Sequence, residues 1–163
     1  MNLLPIPSHL EGILNIDKKS KEKQLIASLI CCGQESFIVN THNGELITKV
    51  TATCTICNKE IVVFDNRFHG WDGFICHLFR NEIEGEAIEE SCKKCKKNIF
   101  KACISILSEG KQDFIEEACN GFVDEAQRTF SPDEWVNGFG WINISLECSN
   151  CGKNKDFIDY ETM

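Results

Sequence analysis

No stretch of this chain approaches the roughly 18 consecutive apolar residues that a membrane-spanning helix needs, so no transmembrane segment is predicted. The start, "MNLLPIPSHLEGILNI", lacks the basic n-region and long apolar core of an export signal. A cytoplasmic protein without membrane association is therefore expected. A basic excess is also missing: the formal net charge is −8. Nucleic-acid binders usually present a basic face, because phosphate neutralisation supplies most of their non-specific affinity. The balance argues mildly against a nucleic-acid partner and leaves room only for a local basic face. The acidity is uneven. Residues 1–80 hold 8 Lys and Arg against 8 Asp and Glu, and residues 81–163 hold 9 against 17.

Cysteine is what the chain has in excess, with 11 in 163 residues. A secreted disulfide scaffold would normally bring an export signal and an even count, and neither is present. Six of the cysteines form Cys-x-x-Cys pairs, Cys54/Cys57, Cys92/Cys95 and Cys148/Cys151. In a reducing compartment that spacing points to zinc before disulfides, because a tight turn brings both sulfurs within reach of one ion. It also aims backbone N–H groups at sulfur, which spreads the thiolate charge. The residue after each second cysteine tends to need positive φ, a conformation that Gly accepts and Asn tolerates. Gly33, Asn58 and Gly152 fit that preference; Lys96 does not.

The phrase "TATCTICNKEIVVFD" has an echo in "SLECSNCGKNKDFID": Cys54 precedes Asp65, and Cys148 precedes Asp159, by eleven residues each. Likewise Cys32 and Cys95 each stand five residues before a phenylalanine, Phe37 and Phe100. Cys32 to Cys54 is 22 residues and Cys95 to Cys148 is 53, so the second half needs an insertion of 31. Each half then reads as knuckle, aromatic strand, strand, knuckle, aromatic strand. The second metal set is complete, with Cys92, Cys95, Cys148 and Cys151. The first has Cys32, Cys54 and Cys57, and its fourth ligand is open between the adjacent Cys31, which is favoured, His42 and His69. Neighbouring side chains diverge on an extended backbone, which counts against Cys31. Lys59, Lys93, Lys94, Lys96, Lys97, Lys153 and Lys155 lie close to the knuckles and would offset thiolate charge. Cys76, Cys103 and Cys119 fall outside both sets and read as small hydrophobes.

The knuckles "CTIC", "CKKC" and "CSNC", with the aromatic strands after them, resemble the zinc-ribbon class. The resemblance covers less than half of the chain. It implies bound Zn²⁺, two ions here, and small metal-stapled β-hairpins. Zinc ribbons serve many functions, so it implies no activity.

The expected fold is α+β: two zinc-ribbon-like β units related by an internal repeat, with one main covering helix. Residues 1–24 read as an N-terminal arm and polar loop, and 25–81 as the first half. Residues 82–91 read as an acidic linker or hairpin, and 92–163 as the second half with the inserted helix. The helix is predicted over 113–130, "DFIEEACNGFVDEAQRTF", from its near-helical apolar spacing, with Gly121 as a weak point.

The run "FDNRFHGWDGFICH" at 64–77 gathers Asp65, Arg67, His69, Trp71, Asp72 and His77. It reads either as a structural turn in which Asp and Arg pair, or as a ligand-binding loop. Three functions follow. The first is a non-enzymatic zinc-binding interaction protein, its partner a protein with a basic surface. The second is a nucleic-acid-associated zinc ribbon using Arg67, Lys93, Lys94, Lys96 and Lys97 with Trp71 or Phe68 for stacking. The third is a small enzyme using His69, Asp72 and His77 as acid/base or metal groups.

Overall fold

Strict alternation of apolar and polar residues builds this molecule. In "IFKACISIL" and "WINISLEC" every second side chain is buried, and period two places those residues on one face of a pleated strand. The computed structural model describes residues 4–42, 47–71, 85–121 and 130–162. Nine strands lie in it: β1 (Leu14–Ile16), β2 (Gln24–Leu29), β3 (Phe37–His42), β4 (Lys49–Cys54), β5 (Glu60–Asp65), β6 (Ala87–Glu89), β7 (Ile99–Leu107), β8 (Trp141–Cys148) and β9 (Asn154–Glu161). All belong to one antiparallel sheet curled into a half-barrel. Its inner face carries Leu25, Phe37, Val39, Val63, Phe100, Ile104, Ile106, Ile144 and Leu146, and Leu10 and Phe139 join that core.

The expected α+β architecture is not found. The described residues are mostly β, 44% strand against 14% helical, and among them no long helix covers a sheet. Among the described residues the predicted helix 113–130 is α1 (Lys111–Phe114) running into a π-helical turn, Ile115–Gly121; residues 122–129 lie outside the described residues. The apolar residues 114, 115, 118, 122, 123, 126 and 130 keep near-helical spacing, so the weakness lies in the residues that carry the turns. Cys119 and Asn120 are poor helix formers, and Gly121 costs about 1 kcal/mol relative to Ala. Phe114 packs edge-on with Trp71 and Phe130, in a satellite cluster with Trp135 rather than over the main core.

Nor do two separate ribbon units form, because the strands change partners. β3 and β7 meet at Phe37↔Phe100 and Ile38↔Ile99. Beyond that point β7 pairs with β2, which leads into Cys31. β3 pairs in turn with β6, which leads into Cys92. The strands that enter the first knuckle of each group, β2 and β6, are thus bound to the strand leaving the first knuckle of the other. β4 and β5 extend one side and β8 and β9 the other.

The arm at the N-terminus carries a 3-10 turn at Ser8–Leu10 that buries Leu10. The acidic segment expected at 82–91 provides the exposed β6, while residues 82–84 lie outside the described residues. Among the described residues no helix is long and apolar enough to cross a membrane.

Candidate metal centres

Three of the four cysteine-bearing turns share one backbone design. In each Cys-x-x-Cys the residue after the second cysteine donates its N–H to the first cysteine's carbonyl: Asn58 to Cys54, Lys96 to Cys92 and Gly152 to Cys148. The first cysteine's own N–H then bonds forward to Lys59, Lys97 and Lys153 respectively. That closure forces positive φ at the position between, +58° at Asn58, +63° at Lys96 and +70° at Gly152. Lys96 therefore takes the left-handed conformation although its side chain disfavours it. A non-glycine there costs about 1–2 kcal/mol, and the knuckle imposes it.

The fourth turn is built differently. Cys31 and Gln34 exchange both backbone hydrogen bonds across a two-residue hairpin turn. Its central residues, Cys32 and Gly33, have φ of +54° and +69°, the pattern of a type I′ turn. Adjacent side chains diverge only on extended backbone. The left-handed twist at Cys32 swings its sulfur back towards that of Cys31, to 3.9 Å.

The result is two groups of four thiols, Cys31/Cys32/Cys54/Cys57 and Cys92/Cys95/Cys148/Cys151, each with its sulfurs within 4.8 Å of one another. The fourth member of the first group is Cys31. His42 sits elsewhere, with Nδ1 against the Gly85 carbonyl, and His69 stacks on His9. The shorter separations are 3.6 Å for Cys31–Cys57, 3.6 Å for Cys92–Cys151 and 3.5 Å for Cys95–Cys148. A tetrahedral ion with bonds of about 2.3 Å holds its sulfurs about 3.8 Å apart, whereas a cystine would bring them to about 2.0 Å. These cysteines are free, and their spacing fits a four-thiolate ion.

The thiols of a group do not share one acidity. The N–H groups of Cys57 and Ile56 lower Cys54 to about 7, the second at 3.4 Å from its sulfur. The Cys95 N–H, with that of Lys94, lowers Cys92 to about 6. Cys31 is pushed up to about 12, first by its hydrogen bond with Cys57 and then by burial. The Lys153 N–H pulls Cys151 down, yet burial and the three neighbouring sulfurs outweigh it and hold the thiol up at about 11. Four negative charges cannot gather in so small a volume unless a cation joins them. Either group can hold a metal ion.

The groups differ in cover. In the second, Cys92 and Cys148 are buried; in the first only Cys54 is, while Cys32 and Cys57 are exposed. They differ also in charge. In sequence Lys93, Lys94, Lys96, Lys97, Lys153 and Lys155 flank the knuckles of the second group, and the more open first group has Lys59 followed at once by Glu60.

The loop that follows β5 turns inward on itself. Asp65, 3% exposed, accepts from the Arg67 backbone N–H and from Nε at 3.0 Å each, and from the guanidinium's far nitrogen at 2.7 Å. Burial, the largest influence on Asp65, opposes its ionisation. The Arg67 hydrogen bonds and charge reverse that and hold the carboxyl below its usual range. His69 accepts the Asp65 N–H at Nδ1. Its ring lies 3.6 Å from that of His9, nearly parallel. Burial, then the neighbouring His9, lower His69 to about 3. His9 is lowered by burial and meets the Val63 carbonyl through Nε2. Gly70, at φ +84°, runs so close to Thr162 that a Cβ would meet it at 2.8 Å, and the Trp71 N–H donates to the Thr162 hydroxyl. Sequence reasoning missed His9 and Thr162 as partners of this loop, since both come from distant segments. Asp72, Cys76 and His77 lie outside the described residues.

No protein-family model, no curated protein and no solved structure matches this chain.

Proposed function

We propose that this chain is a non-enzymatic zinc-binding protein in which two Zn²⁺ ions, each held by four thiolates, stabilise a single β-sheet as a platform for binding another macromolecule. The observation that carries the reading is the approach of eight cysteines, from four separate turns, into two groups at tetrahedral sulfur spacing. Zinc suits an all-thiolate set, and a set with all four positions filled by protein is characteristic of structural rather than catalytic sites. Unpaired thiols at this density suit a reducing compartment such as the cytosol.

A binding role also fits the loop at 64–71, where Asp65, Arg67 and His69 are engaged with one another and with the backbone. For the partner, a protein with a basic surface suits the net charge and the exposed carboxylates Asp156, Asp159 and Glu161 on β9. A second reading, association with nucleic acid, is favoured by the lysines around the second cysteine group.

Native mass spectrometry with metal analysis tests the core of the proposal. Two zinc ions per chain are expected. Retention of full sheet content by a metal-free protein would overturn it, because binding energy of about 10–16 kcal/mol per structural zinc is also folding energy.

A further inference from the structure

The lysines at the second cysteine group exceed what its charge requires. Four thiolates and one Zn²⁺ leave a net charge of about −2, yet six lysines stand within four residues of its cysteines. The first group would carry the same charge with one lysine beside its knuckles, Lys59. Burial makes the second group the costlier of the two to leave uncompensated, yet its charge of about −2 needs only about two of the six. Lys155 is accounted for, paired with Glu90 at 2.8 Å and lying over the Phe157 ring. Lys93, Lys94, Lys96, Lys97 and Lys153 are exposed and form no ion pair among the described residues. Two of the nearby carboxylates are engaged elsewhere: Glu90 takes Lys155 and the Thr41 hydroxyl, and Glu89 takes the Asn98 amide. Glu147 and Asp156 are exposed and form no ion pair with these lysines among the described residues.

Between the two knuckles of this group lies a cavity of about 100 Å³, lined by Ser91, Cys92, Lys93, Phe100, Lys153, Asn154 and Lys155. Lysine stems cover apolar surface while their heads reach water. The cavity therefore joins an apolar floor, made by Phe100 and those stems, to a rim of ammonium groups with a hydroxyl and an amide. A ligand that fits both parts is flat and apolar at one end and anionic at the other, and three further unpaired cations outside the lining, Lys94, Lys96 and Lys97, ask for several anions in a row.

We propose that this face, resting on the zinc-bound state of the second group, binds single-stranded nucleic acid: a splayed base enters the cavity while Lys93, Lys94, Lys96, Lys97 and Lys153 neutralise successive phosphates. A base must leave a stack to enter, which selects single strands over duplex. Lysine acts as a point charge, so contact is with backbone and little sequence is read.

Fluorescence anisotropy with a labelled 20-nucleotide single strand, from 50 to 200 mM salt, tests it, with zinc content read on every sample. Five phosphate contacts predict a slope of about −3.5 in log affinity against log salt, or roughly a hundredfold weakening over that range. K93Q/K97Q/K153Q should make the slope shallower by about 2. K18Q/K19Q/K21Q, an equal change of charge at the far end of the β1–β2 hairpin, should leave it alone. The proposal is overturned by no binding at 50 mM salt from a two-zinc protein, by equal effects of the two triple variants, by a duplex binding as tightly as the single strand, or by poly-glutamate competing as well as the oligonucleotide. Zinc-free wild-type protein would sink the metal reading instead, a result the zinc measurement separates from the others.

Discussion

Acid should unfold this protein partly through His69. In the fold its Nδ1 accepts the Asp65 N–H and its ring is stacked on His9, so a proton would lose a backbone hydrogen bond and put a charge against a buried neighbour. Its pKa falls from 6.5 to about 3. An unfolded chain binds that proton below pH 6.5 and the fold resists it, so this contribution to stability is whole above 6.5 and drains away as pH falls towards 3. At pH 5 the loss is about 2 kcal/mol, from 1.5 units at 1.36 kcal/mol each, and the limit below pH 3 is about 5 kcal/mol. Urea midpoints of wild type and His69→Gln at pH 7.5 and 5.0 measure it. Glutamine retains an oxygen to accept the Asp65 N–H and cannot titrate. The variant should be less stable at pH 7.5, with the gap narrowing by about 2 kcal/mol at pH 5.0. Acid effects on the cysteine groups are common to both proteins and cancel. An unchanged gap would refute the reasoning.

A zinc chelator should empty the two sites in separate phases, the first group faster because Cys32 and Cys57 are exposed while Cys92 and Cys148 are buried. Cys32→Ser should remove the fast phase and one zinc, as read by a metallochromic dye; a single phase in wild type would contradict this. Lys96→Gly should raise stability by about 1 kcal/mol in urea, since it relieves a side chain held at φ +63°. A drop would mean that the strain is not there. Gly70→Ala should cost about 2–3 kcal/mol and loosen the Thr162 contact, because a Cβ adds both a left-handed penalty and overlap at 2.8 Å. Amide exchange at Trp71, whose N–H is held by the Thr162 hydroxyl, should quicken.

Much of the local structure was legible in the residues. In the run ending at Cys148 every second residue is apolar, and such local pattern is what a sequence displays. Cys31 as fourth thiol could be favoured only narrowly, since the left-handed turn at Cys32 that makes it work is rare outside glycine and leaves no trace in composition. The covering helix expected over 113–130 is, as far as Gly121, a short α-turn and a π-turn, because apolar spacing marks a helical face without weighing poor helix formers such as Asn120 and Gly121. The partner exchange among β2, β3, β6 and β7 was out of reach. Which edges meet depends on registers between segments up to about 80 residues apart, Gln24↔Leu107 among them. Two self-contained units were the natural expectation from a phrase heard twice, and one sheet was the outcome. At 64–71 the Asp–Arg pairing could be foreseen as one of two readings, but not the stacking of His69 on a residue from the arm.

That reciprocal pairing bears on how the chain is born. As synthesis proceeds, β2 emerges long before β7, the strand that must seal its edge, and the second cysteine group waits for Cys151. A nascent chain that has just released Cys57 owns all four thiols of the first group, yet lacks both strands that complete the sheet around it. An early ion would be caught by a half-built site with bare strand edges, and stopping translation near residue 90 should yield an aggregation-prone fragment instead of a small stable domain.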